Sequence, residues 1–348
     1  MIRASVFALI ASLLAACTPL VTQTSMTPPP SFAGPHIQAD RFVSFDGAAL
    51  GLTVWPAETG EPEVVLVALH GMNDYANAFH LAAPHWARQG ITTYAYDQRG
   101  FGRSPNRGVW PREEVLLEDL RTLVALVRQR HPHAYVAVAG ESMGGAVAIR
   151  AFASQHPPQA HRLVLLSPAV WGWSTQPLPY KTLLWFAAHM TGAKVYTPPD
   201  WVTDRVKPTD NVEEMRAMGA DRLMIWGARS DALFGLVELM EGAWRDIGRL
   251  QVPVLYLYGA NDEIIPQRPA FRAAARLKPQ DRSAYYDQGW HLLTRDLQRQ
   301  TVIADVAAFL KAPEAPLPSG APPIPTAPGA EGWPDETSSD AGRETAGL

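Results

Sequence analysis

The stretch over residues 135–155 constrains this chain most. An apolar run, Tyr135-Val136-Ala137-Val138-Ala139, leads into Gly140-Glu141-Ser142-Met143-Gly144-Gly145 and then into a helical pattern. Strand, sharp turn and helix in that order put the turn at the carboxyl end of a strand, where ligands gather in open α/β sheets. A serine there sits in a tight turn with its hydroxyl projecting from the sheet edge. Bulky residues at Gly140 and Gly144 would collide with the adjacent strand and helix. The helix amino terminus offers free N–H groups and the positive end of its dipole to a developing oxyanion. Ser142 is therefore the candidate nucleophile. Gly-x-Ser-x-Gly alone is equally compatible with a structural turn, and the flanking elements are what favour chemistry.

The rest of the chain supplies a matching frame. Short β-like runs at 41–45 and 50–55 flank Asp46-Gly47, a hairpin turn signal. The continuous apolar run at 64–69 fits a strand buried on both faces. Further strands are predicted at 91–96, 163–166, 254–258 and 283–286, with helices at 77–89, 113–130, 142–155, 269–277 and 301–310. Such alternation argues for an α/β fold with a mostly parallel sheet, helices on both faces and an antiparallel edge. The alternation stops between Pro168 and Gln251. That stretch carries Trp171, Trp173, Trp185, Phe186, Trp201, Trp226, Phe234 and Trp244. It reads as an inserted helical cap, about 169–250, with a helix over 180–190 and no strand pattern.

A serine hydroxyl is a weak nucleophile and needs a base held by an acid. The strand at 254–258 is followed by Gly259-Ala260-Asn261-Asp262-Glu263, which makes Asp262 the candidate acid. Asn261 and Glu263 are read as residues that orient this loop, and Asp231 in the cap is the rival acid. After the last strand comes Gly289-Trp290-His291-Leu292-Leu293. His291 is the only histidine beyond Asp262, and the order Ser, acid, His is the one this strand–turn–helix context demands. Two backbone donors are expected for an oxyanion. One is the N–H of Met143, and the other the N–H of Met72 in His70-Gly71-Met72-Asn73. His70 is read as a packing and hydrogen-bonding residue of that loop.

The set His70-Gly71-Met72, Tyr96-Asp97-Gln98-Arg99-Gly100-Phe101-Gly102-Arg103-Ser104, Gly140-Glu141-Ser142-Met143-Gly144-Gly145, Gly259-Ala260-Asn261-Asp262 and His291 resembles the monoacylglycerol lipase and lysophospholipase branch of the α/β-hydrolases. That branch is related to the S33 serine aminopeptidases. The resemblance spans about residues 42–310. It implies an α/β-hydrolase fold, a triad on Ser142, Asp262 and His291, backbone donors at Met72 and Met143, and a cap that admits an acyl chain. It makes Asp97 and Arg99 structural braces of the loop after their strand. No metal and no cofactor is implied, and no metal-ligand motif such as His-Glu-x-x-His occurs. The expected partner is a small acyl ester, hydrolysed through an acyl-enzyme. A peptidase or acyltransferase with the same triad is the alternative, with Glu238, Glu241 and Asp231 as possible amine-binding acids. A catalytically silent lipid-binding lipoprotein is the non-enzymatic one.

Both ends differ from this core. Arg3 precedes an apolar run at 6–16, too short to span a bilayer as a helix. The run ends in Leu14-Ala15-Ala16-Cys17, which resembles the bacterial lipobox. Cys17 is the only cysteine among 348 residues. Residues 1–16 are then a lipoprotein signal, Cys17 the lipidation site, and 17–39 a flexible Pro-rich tether. The product would be an exported, membrane-anchored lipoprotein on the outer side of a bacterial membrane. An ordinary secretory signal with a chance cysteine is the alternative. The hydrolase domain is assigned to 40–311, and 312–348 to a disordered Pro-rich tail. A net charge of −4 supplies no basic surface for nucleic acid.

Overall fold

The computed structural model describes residues 20–197 and 205–328. Cys17 and the signal segment, Trp201 and residues 329–348 lie outside the described residues. A nine-stranded sheet runs in the order β1-β2-β3-β5-β4-β6-β7-β10-β11. Its strands are β1 (His36–Ile37), β2 (Arg41–Val43), β3 (Ala49–Trp55), β4 (Val64–Leu69), β5 (Ile91–Tyr96), β6 (Tyr135–Glu141), β7 (Arg162–Leu166), β10 (Val254–Gly259) and β11 (Arg282–Tyr286). The first three strands and the β3–β5 pair are antiparallel, and every pairing from β5 to β11 is parallel. The α/β-hydrolase architecture expected from the sequence is the one observed.

Period-two alternation explains how β4 is buried on two sides. Val65, Val67 and Leu69 face one hydrophobic core, and Val64, Leu66 and Ala68 the other. The first core is covered by α2 (Glu113–Arg130), α3 (Met143–Phe152) and α7 (Gln267–Ala274). The second is covered by α1 (Ala83–Arg88) and α8 (Arg299–Lys311). The single helix expected over 77–89 is a 3-10 turn, Ala76–Phe79, followed by the short α1. Pro84 explains the break, because its ring nitrogen cannot donate to the preceding turn and suits only a helix start.

The cap is mainly helical, as expected: α4 (Leu178–Thr191), α5 (Val212–Ala220) and α6 (Ser230–Asp246). It also holds a two-stranded antiparallel ribbon of β8 (Val195–Tyr196) and β9 (Ala228–Arg229), which the sequence pattern did not announce. Two residues per strand are too few to leave a period. α6 rests on the helix that follows Ser142: Arg150 of α3 pairs with Asp246 of α6 and Glu113 of α2.

Two boundaries need correction. Residues 20–39 do not hang free of the domain. Gln23 N–H donates to Trp110 O at 2.8 Å, Met26 N–H donates to Asp46 at 2.7 Å, and β1 joins the sheet edge. Residues 312–328, assigned to a disordered tail, lie along β11. Tyr285 N–H donates to Pro322 O at 2.8 Å, and Ile324 N–H to Ser283 Oγ at 3.1 Å. Leu317 and Ile324 are buried in the two cores. A Pro-rich segment has few donors, but its carbonyls can cover the free N–H groups of an edge strand. Two isolated apolar residues anchor it, and no periodic pattern could reveal them.

Asp97 and Arg99 are internal braces. Arg99, 1% exposed, makes two hydrogen bonds to Asp46 and two to Asp119, all between 2.7 and 2.8 Å. Breaking such a buried pair typically costs about 3–5 kcal/mol. Asp97 accepts from Ala76 N–H and from Arg103. Both braces fix the loop after β5.

Candidate active site

The turn between β6 and α3 has the geometry its sequence requires. Ser142 adopts φ 49° and ψ −115°, a strained conformation that non-glycine residues seldom adopt. Its N–H donates to Leu166 O at 3.0 Å, and its carbonyl accepts from Ala146 and Ala169. The strain is therefore held by hydrogen bonds on both sides. A Cβ on Gly140 would lie 2.4 Å from Gly144 O, and one on Gly144 would lie 2.3 Å from Leu69 O. Only hydrogen fits at either position. Met143 is the first residue of α3, so its N–H has no partner within the helix.

Asp262 and His291 come together from the ends of β10 and β11. His291 Nδ1–H donates to Asp262 Oδ2 at 2.8 Å, with both groups buried. The other carboxylate oxygen accepts from the N–H groups of Ile264, at 2.8 Å, and Ile265, at 2.9 Å. Asp262 is thus pinned by its own loop and presents one oxygen to the imidazole. Burial alone would disfavour the imidazolium, but the charge and hydrogen bond of Asp262, with the charge of Glu141, outweigh it. His291 is raised above the ordinary imidazole value. Asp231 is engaged elsewhere: its carboxylate accepts from Arg229 and from Val21 N–H.

Met72 lies in the loop after β4, packed against the larger core. A Cβ on Gly71 of that loop would stand 3.3 Å from Ser142 Cβ, so the loop passes directly beside Ser142. His70 braces the loop. Its Nδ1–H donates to Gly71 O at 2.7 Å, and its Nε2 accepts Gln98 N–H at 2.9 Å. Burial holds it below the ordinary imidazole value. With both nitrogens occupied, His70 is a structural residue. Asn73, at φ 66°, turns the loop upward, and its carbonyl accepts Ile225 N–H of the cap at 3.0 Å.

A buried ionic cluster lies beside this constellation, and sequence reasoning missed it. Arg295 donates from Nη2 to Glu141 Oε1 and pairs through Nη1 with Asp74 Oδ2, both at 2.7 Å. Glu214 of α5 stands 4.0 Å from the same guanidinium. Asp296, next in sequence, accepts from Trp290 N–H and Thr209 Oγ1, and burial pushes it up to about 7. The available signal was Glu141 itself, a charged residue at the end of an otherwise apolar strand.

A doubly covered, mostly parallel sheet with a strained serine at a strand-to-helix turn defines a serine hydrolase of the α/β-hydrolase class. Comparison with known families agrees, since residues 60–298 match the model of the family described as serine aminopeptidase, S33. The chain belongs to that family.

Lipases are among the proteins that the chain is similar to, beside esterases and a protein described as a non-heme haloperoxidase. It is 27% identical over 275 residues to a monoacylglycerol lipase of Mycolicibacterium smegmatis, covering 77% of this chain and 95% of that one. It is 26% identical over 274 residues to the monoglyceride lipase of Rattus norvegicus, covering 77% and 88%. Among solved structures, a soluble variant of the Saccharomyces cerevisiae monoglyceride lipase, in complex with a substrate analogue, superposes with a TM-score of 0.66. That match has 18% identity and covers 82% of this chain and 97% of that one. The Paleococcus ferrophilus monoacylglycerol lipase gives 0.63 at 19% identity, covering 75% and 98%. The structural matches show the shared fold.

Proposed function

We propose that this protein hydrolyses carboxylic esters of a medium or long acyl chain, such as monoacylglycerols or lysophospholipids. His291 takes the proton of Ser142 while Asp262 fixes the imidazole tautomer. Ser142 then attacks the ester carbonyl, and the N–H groups of Met72 and Met143 hold the oxyanion. The alcohol leaves with a proton from His291. Water activated by His291 then hydrolyses the acyl-enzyme. The observation that carries this reading is the Asp262–His291 hydrogen bond, placed on the same sheet edge as the strained Ser142.

The acyl preference rests on the lipase relatives and on the character of the cap. A groove of about 480 Å³ between α4 and α6 is lined by Trp173, Trp185, Phe186 and Phe234, with Lys181 and Glu238 at its margin. Leu183, Phe186 and Met190 are exposed along α4, at a spacing that puts them on one helix face. The acids considered for binding a peptide amine have other partners. Glu238 accepts from Trp173 Nε1–H, Glu241 from Ser174, and Asp231 from Arg229. That favours esterase over aminopeptidase chemistry. The test is a substrate panel: glycerol and lysophospholipid esters of increasing acyl length beside an aminoacyl amide. Turnover is expected to rise with acyl length and to be weak on the amide. Preference for the amide would overturn the substrate assignment.

The proposal includes anchoring through acylated Cys17. Several acyl chains hold a protein stably, at about 0.8 kcal/mol per buried methylene. Only three residues separate Cys17 from Val21, whose N–H reaches Asp231 at the start of α6. An anchor there keeps the cap on the membrane side, which suits lipid substrates. Cys17→Ser is expected to release the protein from the membrane fraction on cell fractionation. Unchanged membrane partition and unchanged amino-terminal processing would refute acylation.

A further inference from the structure

Arg295 is almost completely enclosed, with its side chain 2% exposed, and so are the acids around it: Glu141 at 0%, Asp74 at 6% and Glu214 at 7%. Each acid belongs to a different part of the site. Asp74 closes the loop that begins at His70 and carries Met72. Glu141 is the last residue of β6, immediately before Ser142. Glu214 lies on cap helix α5. Arg295 itself belongs to the loop that carries His291. Its carbonyl accepts Asn211 Nδ2–H at 2.9 Å, which ties that loop to the entry of α5. Beside it, Leu292 N–H donates to Pro208 O at 2.9 Å, and Tyr75 OH donates to Asp221 at 2.6 Å.

A buried guanidinium is costly to hold, and an ion pair of this kind adds little net stability over apolar residues of the same shape. Here its fork reaches two carboxylates at once from a fixed plane, which a point charge cannot do. One follows the oxyanion loop and the other precedes Ser142, so their separation sets how the Met72 N–H stands relative to the serine oxygen.

We propose that Arg295 is a positioning residue, holding the oxyanion loop through Asp74 in register with the Ser142 turn through Glu141. The role rests on the hydrolase reading above, and it concerns the transition state more than the ground state. A displacement of about 1 Å at an oxyanion donor can cost about a hundredfold in rate. Substrate affinity, set largely by the cap, changes little.

The test pairs Glu141→Gln with Arg295→Met, which replaces the Arg295–Glu141 pair by neutral groups of similar volume and frees Asp74 from its guanidinium partner. Readouts are the melting temperature, kcat and KM on an ester, and the rate at which a fluorophosphonate labels Ser142. A folded double variant is expected to lose about a hundredfold in kcat and in labelling rate, with KM within about threefold. Arg295→Lys keeps the charge without the fork and is expected to recover only about a tenth of the wild-type kcat. If the double variant does not fold, Arg295→Lys carries the test alone, on the same split between kcat and KM. Wild-type kcat in a folded variant, or a loss confined to KM, overturns the positioning role. A wild-type protein whose Ser142 never labels overturns the hydrolase reading itself, and this inference with it.

Discussion

Ser142→Ala is expected to lower ester turnover by about a millionfold while leaving the protein folded. The size follows from the proposed mechanism, in which Ser142 Oγ forms the acyl-enzyme. In a triad whose members act as a unit, loss of the nucleophile costs about as much as losing all three. What remains, about 10³–10⁴-fold over water, comes from the oxyanion donors and from binding. The fold tolerates the change for local reasons. The Ser142 side chain makes no capping hydrogen bond to α3, so its hydroxyl holds nothing in place. Backbone strain at φ 49° is similar for serine and alanine, and the hydrogen bonds that secure it are made by main-chain atoms. Steady-state hydrolysis, with circular dichroism to establish folding, gives the answer. Residual activity above about one-thousandth of the wild-type rate, once contaminating esterase is excluded, would mean that Ser142 is not the nucleophile.

Asp262→Asn is expected to lower kcat by about 10⁴-fold with the fold unchanged. The reason lies in how the carboxylate is held. Oδ1 receives two backbone N–H groups, from Ile264 and Ile265, and Oδ2 faces His291 Nδ1. In the variant, the amide oxygen must keep the two backbone donors, which turns the NH₂ group toward His291. Nδ1 then has to accept, the ring proton moves to Nε2, and the base toward Ser142 is lost.

The pH profile carries a second signature of the same pair. His291 must be neutral to act as a base, so activity falls as pH drops through its ionisation. That ionisation lies above the ordinary imidazole value in the native protein, since Asp262 and Glu141 outweigh burial and the opposing charge of Arg295. Asp296, pushed up to about 7 by burial, also feels the charge of His291. Removing the Asp262 charge takes away the largest favourable contribution, so the acid limb of kcat/KM moves to lower pH as the rate collapses. A folded variant within tenfold of wild-type kcat, or an acid limb that does not move, would exclude Asp262 as the orienting acid.

The strand–Gly-x-Ser-x-Gly–helix run was legible because local sterics impose it: no residue larger than glycine fits at 140 or 144. Asp262 and His291 stand out in the sequence because strand order and the expected sequence of acid and base leave few candidates, and the structure brings the two together. The alternating strands were legible because burial on both faces demands continuous apolar runs.

Other features depended on contacts between distant segments, where local sequence has no period. The seating of residues 20–39 and 312–328 rests on isolated partners such as Gln23 with Trp110 and Tyr285 with Pro322. The β8–β9 ribbon is too short to leave a pattern.

The strained turn at Ser142 was thus determined by the sequence alone, because its geometry is a matter of neighbouring residues. What surrounds that turn was decided only by the tertiary structure. Arg295 and Glu141 lie 154 positions apart in the chain, and each by itself is an ordinary charged residue. Only the closing of β6, the His291 loop and the cap around one buried guanidinium gives the pair its meaning. The energy of a buried charge depends on every group packed against it, and that arrangement exists only in the folded protein.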